Sequence, residues 1–132
     1  MAKYKSWEFY CCLVLNRLAA EVDIDIYQPG IEEKLDIILS SGDYSVSKLE
    51  LSKEIKSNHL MTEKVLKHLE NEGLIRIELR EKSYAISITK KGILFARRYN
   101  EFYISQYKTL IEEHYKYRPL PSWFARGGSW QH

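Results

Sequence analysis

The chain has 132 residues, of which 45% are hydrophobic and 29% charged, with a formal net charge of +2. That balance suits one globular domain and excludes a disordered or fibrous chain. No stretch approaches the ~18 uncharged apolar residues of a membrane span, and no basic-then-apolar leader opens the chain, so a cytoplasmic protein without membrane contact is expected.

Residues 6–22 predict a first helix, with Trp7, Tyr10, Val14, Leu18 and Val22 at helical spacing. Its centre is apolar almost all round, as in a helix buried on more than one side. It carries both cysteines, Cys11 and Cys12. Neighbours in sequence are poorly placed to bridge each other, so two free thiols are expected, with an intersubunit bridge or redox switch as the alternative. Pro29-Gly30 then signals a turn.

Residues 31–42 predict a short helix with Ile31, Leu35, Ile38 and Leu39 on one face and Gly42 as its left-handed stop. "DYSV" suggests a short strand. Ser47 and Glu50 form a capping box ahead of the next helix, which turns Leu51 and Ile55 inward. Ser57-Asn58 is polar punctuation, with Asn58 as the cap of a helix over about 59–72. That helix buries Val65, Leu66 and Leu69 and stops at Gly73. Two alternating segments, "LIRIEL" and "YAISIT", read as half-buried strands joined by the turn "REKS". Thr89 caps a last helix over about 90–117, which would span roughly 40 Å.

Helix, strand, helix, turn, helix and hairpin is the order of a winged helix-turn-helix. The fold expected is therefore α+β, mostly α: a winged helix-turn-helix core at about 31–89, an extra N-terminal helix at about 6–22 and a long C-terminal dimerisation helix. Residues 1–118 would form one domain and 119–132 a tail. Two blocks add to this order, Val65-Leu66 through Gly73-Leu74-Ile75, and Ile88-Thr89-Lys90-Lys91-Gly92 with Phe95. In these blocks, over roughly residues 31–115, the chain resembles archaeal winged-helix transcriptional regulators and is most similar to the family of the Sulfolobus 10a DNA-binding protein. The resemblance implies double-stranded DNA as partner, a homodimer held by the last helix, and no catalysis. The apolar first helix and the Trp-rich tail lie outside the family pattern.

Charge distribution points the same way. Residues 48–98 hold twelve Lys/Arg and seven Asp/Glu, whereas residues 1–47 hold four and eight, the segregation that a polyanion partner would exploit. A recognition helix presents its first turns to base edges. The candidate DNA-contacting residues are Asn58, His59, Thr62, Glu63, Lys64 and Lys67 on that helix. Arg80 and Lys82 join them at the tip of the wing (about 76–88), Ser47 at the capping box, and Lys90 and Lys91 at the start of the last helix. Glu63 would accept from a cytosine amine or orient Lys67.

Ala96, Asn100, Tyr103, Tyr107, Leu110, His114 and Tyr117 follow a heptad-like seam. Together with Tyr99, its members Ala96 to His114 are the candidate dimer contacts. Phe95, Tyr99 and Phe102 form a second strip; one strip would pack on the first helix and the other on a symmetry mate. Trp123, Phe124 and Trp130 are too apolar for a solvated end and would dock on the protein itself or on a protein partner.

The absence of a Gly-rich phosphate loop, a nucleophile elbow and zinc-ligand spacing predicts neither enzyme activity, metal nor cofactor. The competing expectation is a winged-helix adaptor that binds protein, since Glu63 and Glu81 sit in both presumed DNA-contacting elements. A third is a regulator whose aromatic pocket around Trp7, Tyr10, Tyr99 and Tyr103 senses a ligand.

Overall fold

A computed structural model describes residues 6–124, except for the side chains of Glu101, Tyr103 and Ile104. The described chain is α+β and mostly helical. Its elements are α1 (Trp7–Val22), α2 (Ile31–Ser40), β1 (Val46–Ser47), α3 (Lys48–Glu54), α4 (His59–Asn71), β2 (Ile75–Arg80), β3 (Ser83–Ile88) and α5 (Lys90–His114). The strands form an antiparallel sheet in the order β1-β3-β2, with Val46 opposite Ile86 and Ile77 opposite Ile86 on the other side.

α1 is the centre of the molecule, packed against α4, α5 and β3. This explains its apolar circumference: Phe9, Leu13, Val14 and Leu18 are all fully buried, on different sides. α2 contributes Ile31 and Leu35 to the core. Its left-handed glycine is Gly30, at the N-cap with φ of 80°. Gly42, expected as the stop, does not adopt positive φ; the helix instead ends on Ser41, whose backbone N–H donates to the Ile38 carbonyl.

Three helix ends share one device. After α4, Gly73 is left-handed (φ 74°), its N–H donates to the Glu70 carbonyl, and the Leu74 N–H donates to the Leu69 carbonyl. This double bond satisfies carbonyls that a helix end leaves orphaned. After α3 the same pair runs from Lys56 to Lys53 and from Ser57 to Ser52, with Lys56 at φ 52°. After α5 it runs from Lys116 to Glu113 and from Tyr117 to Glu112, so the helix stops at His114 rather than Tyr117. The turn between α3 and α4 was marked in the sequence by Ser57-Asn58, but its left-handed residue was not, because a lysine stands where glycine is the usual signal.

Gly92 is fixed by contact rather than by dihedral. A Cβ there would lie 2.1 Å from the Leu74 carbonyl oxygen and 2.7 Å from Ile88 Cγ1. The first turn of α5 thus presses on the chain leaving α4, and Thr89 joins the two by donating its hydroxyl to the Gly73 carbonyl at 2.7 Å.

The α1–α5 interface carries a buried polar pair. The Asn16 amide donates to Asn100 Oδ1 at 3.0 Å, and the Asn100 amide donates back to Asn16 Oδ1 at 2.9 Å and to the Tyr27 hydroxyl at 2.6 Å. His114 Nε2 lies 2.7 Å from the Ile55 carbonyl, and its ring packs edge-on to Phe9 and Tyr10. Ala96 and Leu110 are also buried, and Tyr107 packs half-buried against Phe9. The seam expected to meet a second copy is therefore occupied here within the chain for Ala96, Asn100, Tyr107, Leu110 and His114. Heptad-like spacing reports that a helix is covered, and α1 supplies the cover. The side chain of Tyr103 lies outside the described residues, and Tyr99 is half-buried with its ring 4.4 Å from that of Phe95.

Candidate nucleic-acid interface

The interface is built by three neighbouring segments. Ser47 caps α3 by accepting from the Glu50 N–H at 3.1 Å, which forms the serine half of the expected capping box. Asn58 caps α4 by accepting from the Met61 N–H at 2.8 Å. The two-residue turn Glu81-Lys82 joins β2 and β3, with Arg80 opposite Ser83 and Glu81 left-handed at φ 52°. Together the start of α3, the start of α4 and the hairpin tip line one open groove, whose walls include Ser47, Lys48, Ser52, His59, Lys82 and Tyr84.

α4 turns Thr62, Val65, Leu66 and Leu69 into the core. Thr62 is only 1% exposed and its hydroxyl donates back to the Asn58 carbonyl at 2.8 Å. It stabilises the first turn and lines the groove with very little of its surface. The opposite face carries Leu60, Lys64 and Lys67 at helical spacing, with His59 and Glu63 toward the groove. Lys64, Lys67 and Lys82 are exposed and make no ion pair among the described residues. Glu63 is paired with Lys48 of α3, not aligned with Lys67. The same ammonium lies 5.5 Å from the Tyr84 ring centre, so Lys48 links both helices to the hairpin.

Arg80 and Lys82 separate. Strand alternation sends Arg80 to the face away from the groove, where its guanidinium donates to Asp43 at 2.6 Å, to Ser45 at 3.1 Å and to Glu78 at 3.3 Å. The Arg80 bond, joined by the Ser45 N–H donating to Asp43 Oδ1 at 3.2 Å, holds the Asp43 carboxyl down at about 2, from an ordinary 3.8, and the Asp43 and Glu78 carboxylates push the Arg80 guanidinium up. Lys90 pairs with Asp36 at 3.1 Å, and Lys91 donates to the Glu72 carbonyl at 2.8 Å. Both lie by the far end of α4, away from His59. Of the eleven DNA-contact candidates, the structure brings Ser47, His59, Thr62 and Lys82 together in the groove, leaves Asn58, Glu63, Lys64 and Lys67 exposed at the cap and along α4, and turns Arg80, Lys90 and Lys91 to other tasks.

Sequence reasoning missed Lys48 and, at Leu49, Leu79 and Tyr84, most of an apolar fringe to this interface. Leu49, Leu60, Leu79 and Tyr84 are all exposed, Leu60 by 80%. Leu79 and Tyr84 face each other across the hairpin in the alternation that places Ile77 and Ile86 nearer the core. They were expected inside, but the ribbon extends past the helices that would cover them. The signal available in the sequence was the excess of apolar positions over what α4 and the hairpin need for one buried face.

Elsewhere, burial pushes the thiols of Cys11 and Cys12 up to about 12, which leaves little of the reactive thiolate at neutral pH. Trp123 is half-buried near Tyr115 and Phe124 is buried, so the described part of the tail docks on the chain's own body, while Trp130 lies outside the described residues. No helix among the described residues is long and apolar enough to cross a membrane, and no group of His, Cys, Asp and Glu there is placed to hold a metal ion. Compared with known proteins, the chain matches no family model, no curated protein and no solved structure.

Proposed function

We propose that the chain is a winged-helix DNA-binding protein, a dimeric transcriptional regulator that acts through charge and groove insertion without chemistry. The observation that carries this reading is the shared groove: the first turn of α4 and the hairpin tip converge with Lys82 in its wall, and Lys64 and Lys67 are exposed further along α4. α4 enters the major groove, where His59 and the two lysines address base edges and phosphates. Lys82 reaches the flanking backbone or minor groove. The positive middle of the chain supplies the long-range attraction.

The homodimer uses the strip of Tyr99 and Phe102, because α1 takes the other seam. Phe102 is 57% exposed on α5. A twofold axis there would present two α4 helices to half-sites about 34 Å apart. Such a protein works in the cytoplasm, on DNA.

Fluorescence anisotropy on random duplex DNA tests the reading. Affinity that falls steeply between about 50 and 200 mM salt is expected. An absence of binding at the lower salt would refute it and favour a protein-binding adaptor, a second reading supported by the exposed Leu49, Leu60, Leu79 and Tyr84.

A further inference from the structure

A second concavity lies on the other side of the molecule, where α1, the end of α4 and the start of α5 meet. Its volume is about 270 Å³. Trp7, Cys11, Leu15, Leu69, Leu74 and Phe95 supply the apolar lining. A cavity of about 150 Å³ with similar walls accepts benzene, so this one has room for a fused two-ring molecule. Its small wall residues are Cys11 and Cys12; a larger side chain at the half-buried Cys11 would close the space.

The charged groups lining it are Glu8, Glu72 and Lys91. The Lys91 ammonium is turned to the Glu72 carbonyl at the end of α4, the negative end of that helix dipole. Glu8 and Glu72 have no ion-pair partner among the described residues. The indole of Trp7 packs edge-on against His68, with ring centres 4.4 Å apart, and adds an aromatic surface of the kind that attracts cations. The local balance is two carboxylates and a helix C-terminus against one engaged ammonium.

We infer that this cavity binds a small, flat aromatic cation, with its rings between Trp7, Leu69 and Phe95 and its positive charge toward Glu8 and Glu72. The site is independent of the DNA-binding reading, since none of its residues belongs to the groove beside Lys82.

Calorimetry of the full chain with three probes of one ring system tests this: 2-naphthylmethylammonium, 2-naphthylmethanol and 2-naphthoate. The ammonium compound is expected to bind one per chain and roughly tenfold more tightly than the carboxylate. Glu8→Gln with Glu72→Gln should erase that preference, and Cys11→Phe should abolish binding while thermal unfolding stays cooperative. NMR shifts of the Leu15, Leu69 and Leu74 methyl groups in the unsubstituted chain locate the probe even if Cys11→Phe folds poorly. No binding of any probe would overturn the proposal, whether the space is closed in solution or taken by residues 1–5 or a second copy. Unchanged Leu methyl signals on binding would overturn the location. Equal or tighter binding of the alcohol or the carboxylate would overturn the ligand class.

Discussion

The two flanks of α5 look alike in sequence and do different work. One flank, with Ala96, Asn100, Leu110 and His114, is buried beneath α1 and holds the reciprocal amide pair with Asn16. The other, from Phe95 to Phe102, is aromatic but half-buried or exposed. Both show apolar residues at spacings of three and four. The difference teaches that periodicity identifies a covered face without naming its cover, and that a buried asparagine on the seam has its partner in the same chain.

The largest effect that would break this comparison is a charge on each flank. Leu110→Glu places a carboxylate at a position only 4% exposed, and loss of a buried apolar contact together with an unpaired charge should destabilise by roughly 3–5 kcal/mol. Circular dichroism should show an unfolded or barely folded chain. Phe102→Glu, at a position 57% exposed, should leave the chain folded by circular dichroism and, on the proposed dimer, convert it to monomer by sedimentation. If Leu110→Glu instead gave a folded monomer, the seam would be intersubunit after all.

The amide pair sharpens the same contrast. Asn100→Leu removes the donor to the buried Asn16 Oδ1 and one of the acceptors of the Asn16 amide, which keeps its bond to the Cys12 carbonyl at 2.8 Å; the loss should cost about 1–3 kcal/mol. Asn16→Leu with Asn100→Leu should recover much of that loss, because replacing both partners of a buried hydrogen bond can be nearly neutral. Urea unfolding of Asn16→Leu, Asn100→Leu and the double variant gives the coupling; additive losses would mean that the two amides do not act as a pair.

Much of the architecture was legible because it rests on burial. The boundaries of α1 and α4, the hairpin with "REKS" at its turn, and the Thr89 cap all follow from alternation, helical spacing and capping chemistry. What escaped were features decided by tertiary contact. Lys56 and Lys116 take left-handed conformations in which glycine is the readable residue. Leu79 and Tyr84 keep the strand alternation, yet the body ends before it reaches them. At the candidate interface the residue types were legible but their engagements were not: Arg80 is drawn aside by Asp43, 37 residues away in sequence, and Glu63 by Lys48.

That diversion of Arg80 gives a smaller effect. The Asp43 carboxyl titrates lower in the folded chain than its ordinary value, so the pair stabilises the fold above about pH 4 and loses that contribution as pH falls toward 2. In Arg80→Ala the Asp43 carboxyl should rise from about 2 toward its ordinary 3.8 by carbon-13 NMR, held below it by the bonds from Ser45, with little change in affinity for duplex DNA. A carboxyl that stayed near 2 would assign the shift to Ser45 alone.

The smallest effect lies in the turn between α3 and α4. Lys56→Gly removes the strain of a left-handed lysine, worth about 1–2 kcal/mol, while adding unfolded-state freedom of about 0.5–1 kcal/mol. A modest rise in melting temperature is expected. A fall would mean that the Lys56 side chain, 5.8 Å from the Tyr115 ring centre, contributes more than its backbone strain removes.

In the proposed function, the face of α4 and the hairpin tip meet duplex phosphates. The most direct test of that contact is the slope of log affinity against log salt for the unsubstituted chain and for Lys64→Ala, Lys67→Ala and Lys82→Ala combined. Each phosphate contact contributes about 0.9 to that slope, so the triple variant should lose roughly 2–3 units while melting at an unchanged temperature. An undiminished slope in a fully folded triple variant would contradict the account and place the DNA-binding surface elsewhere.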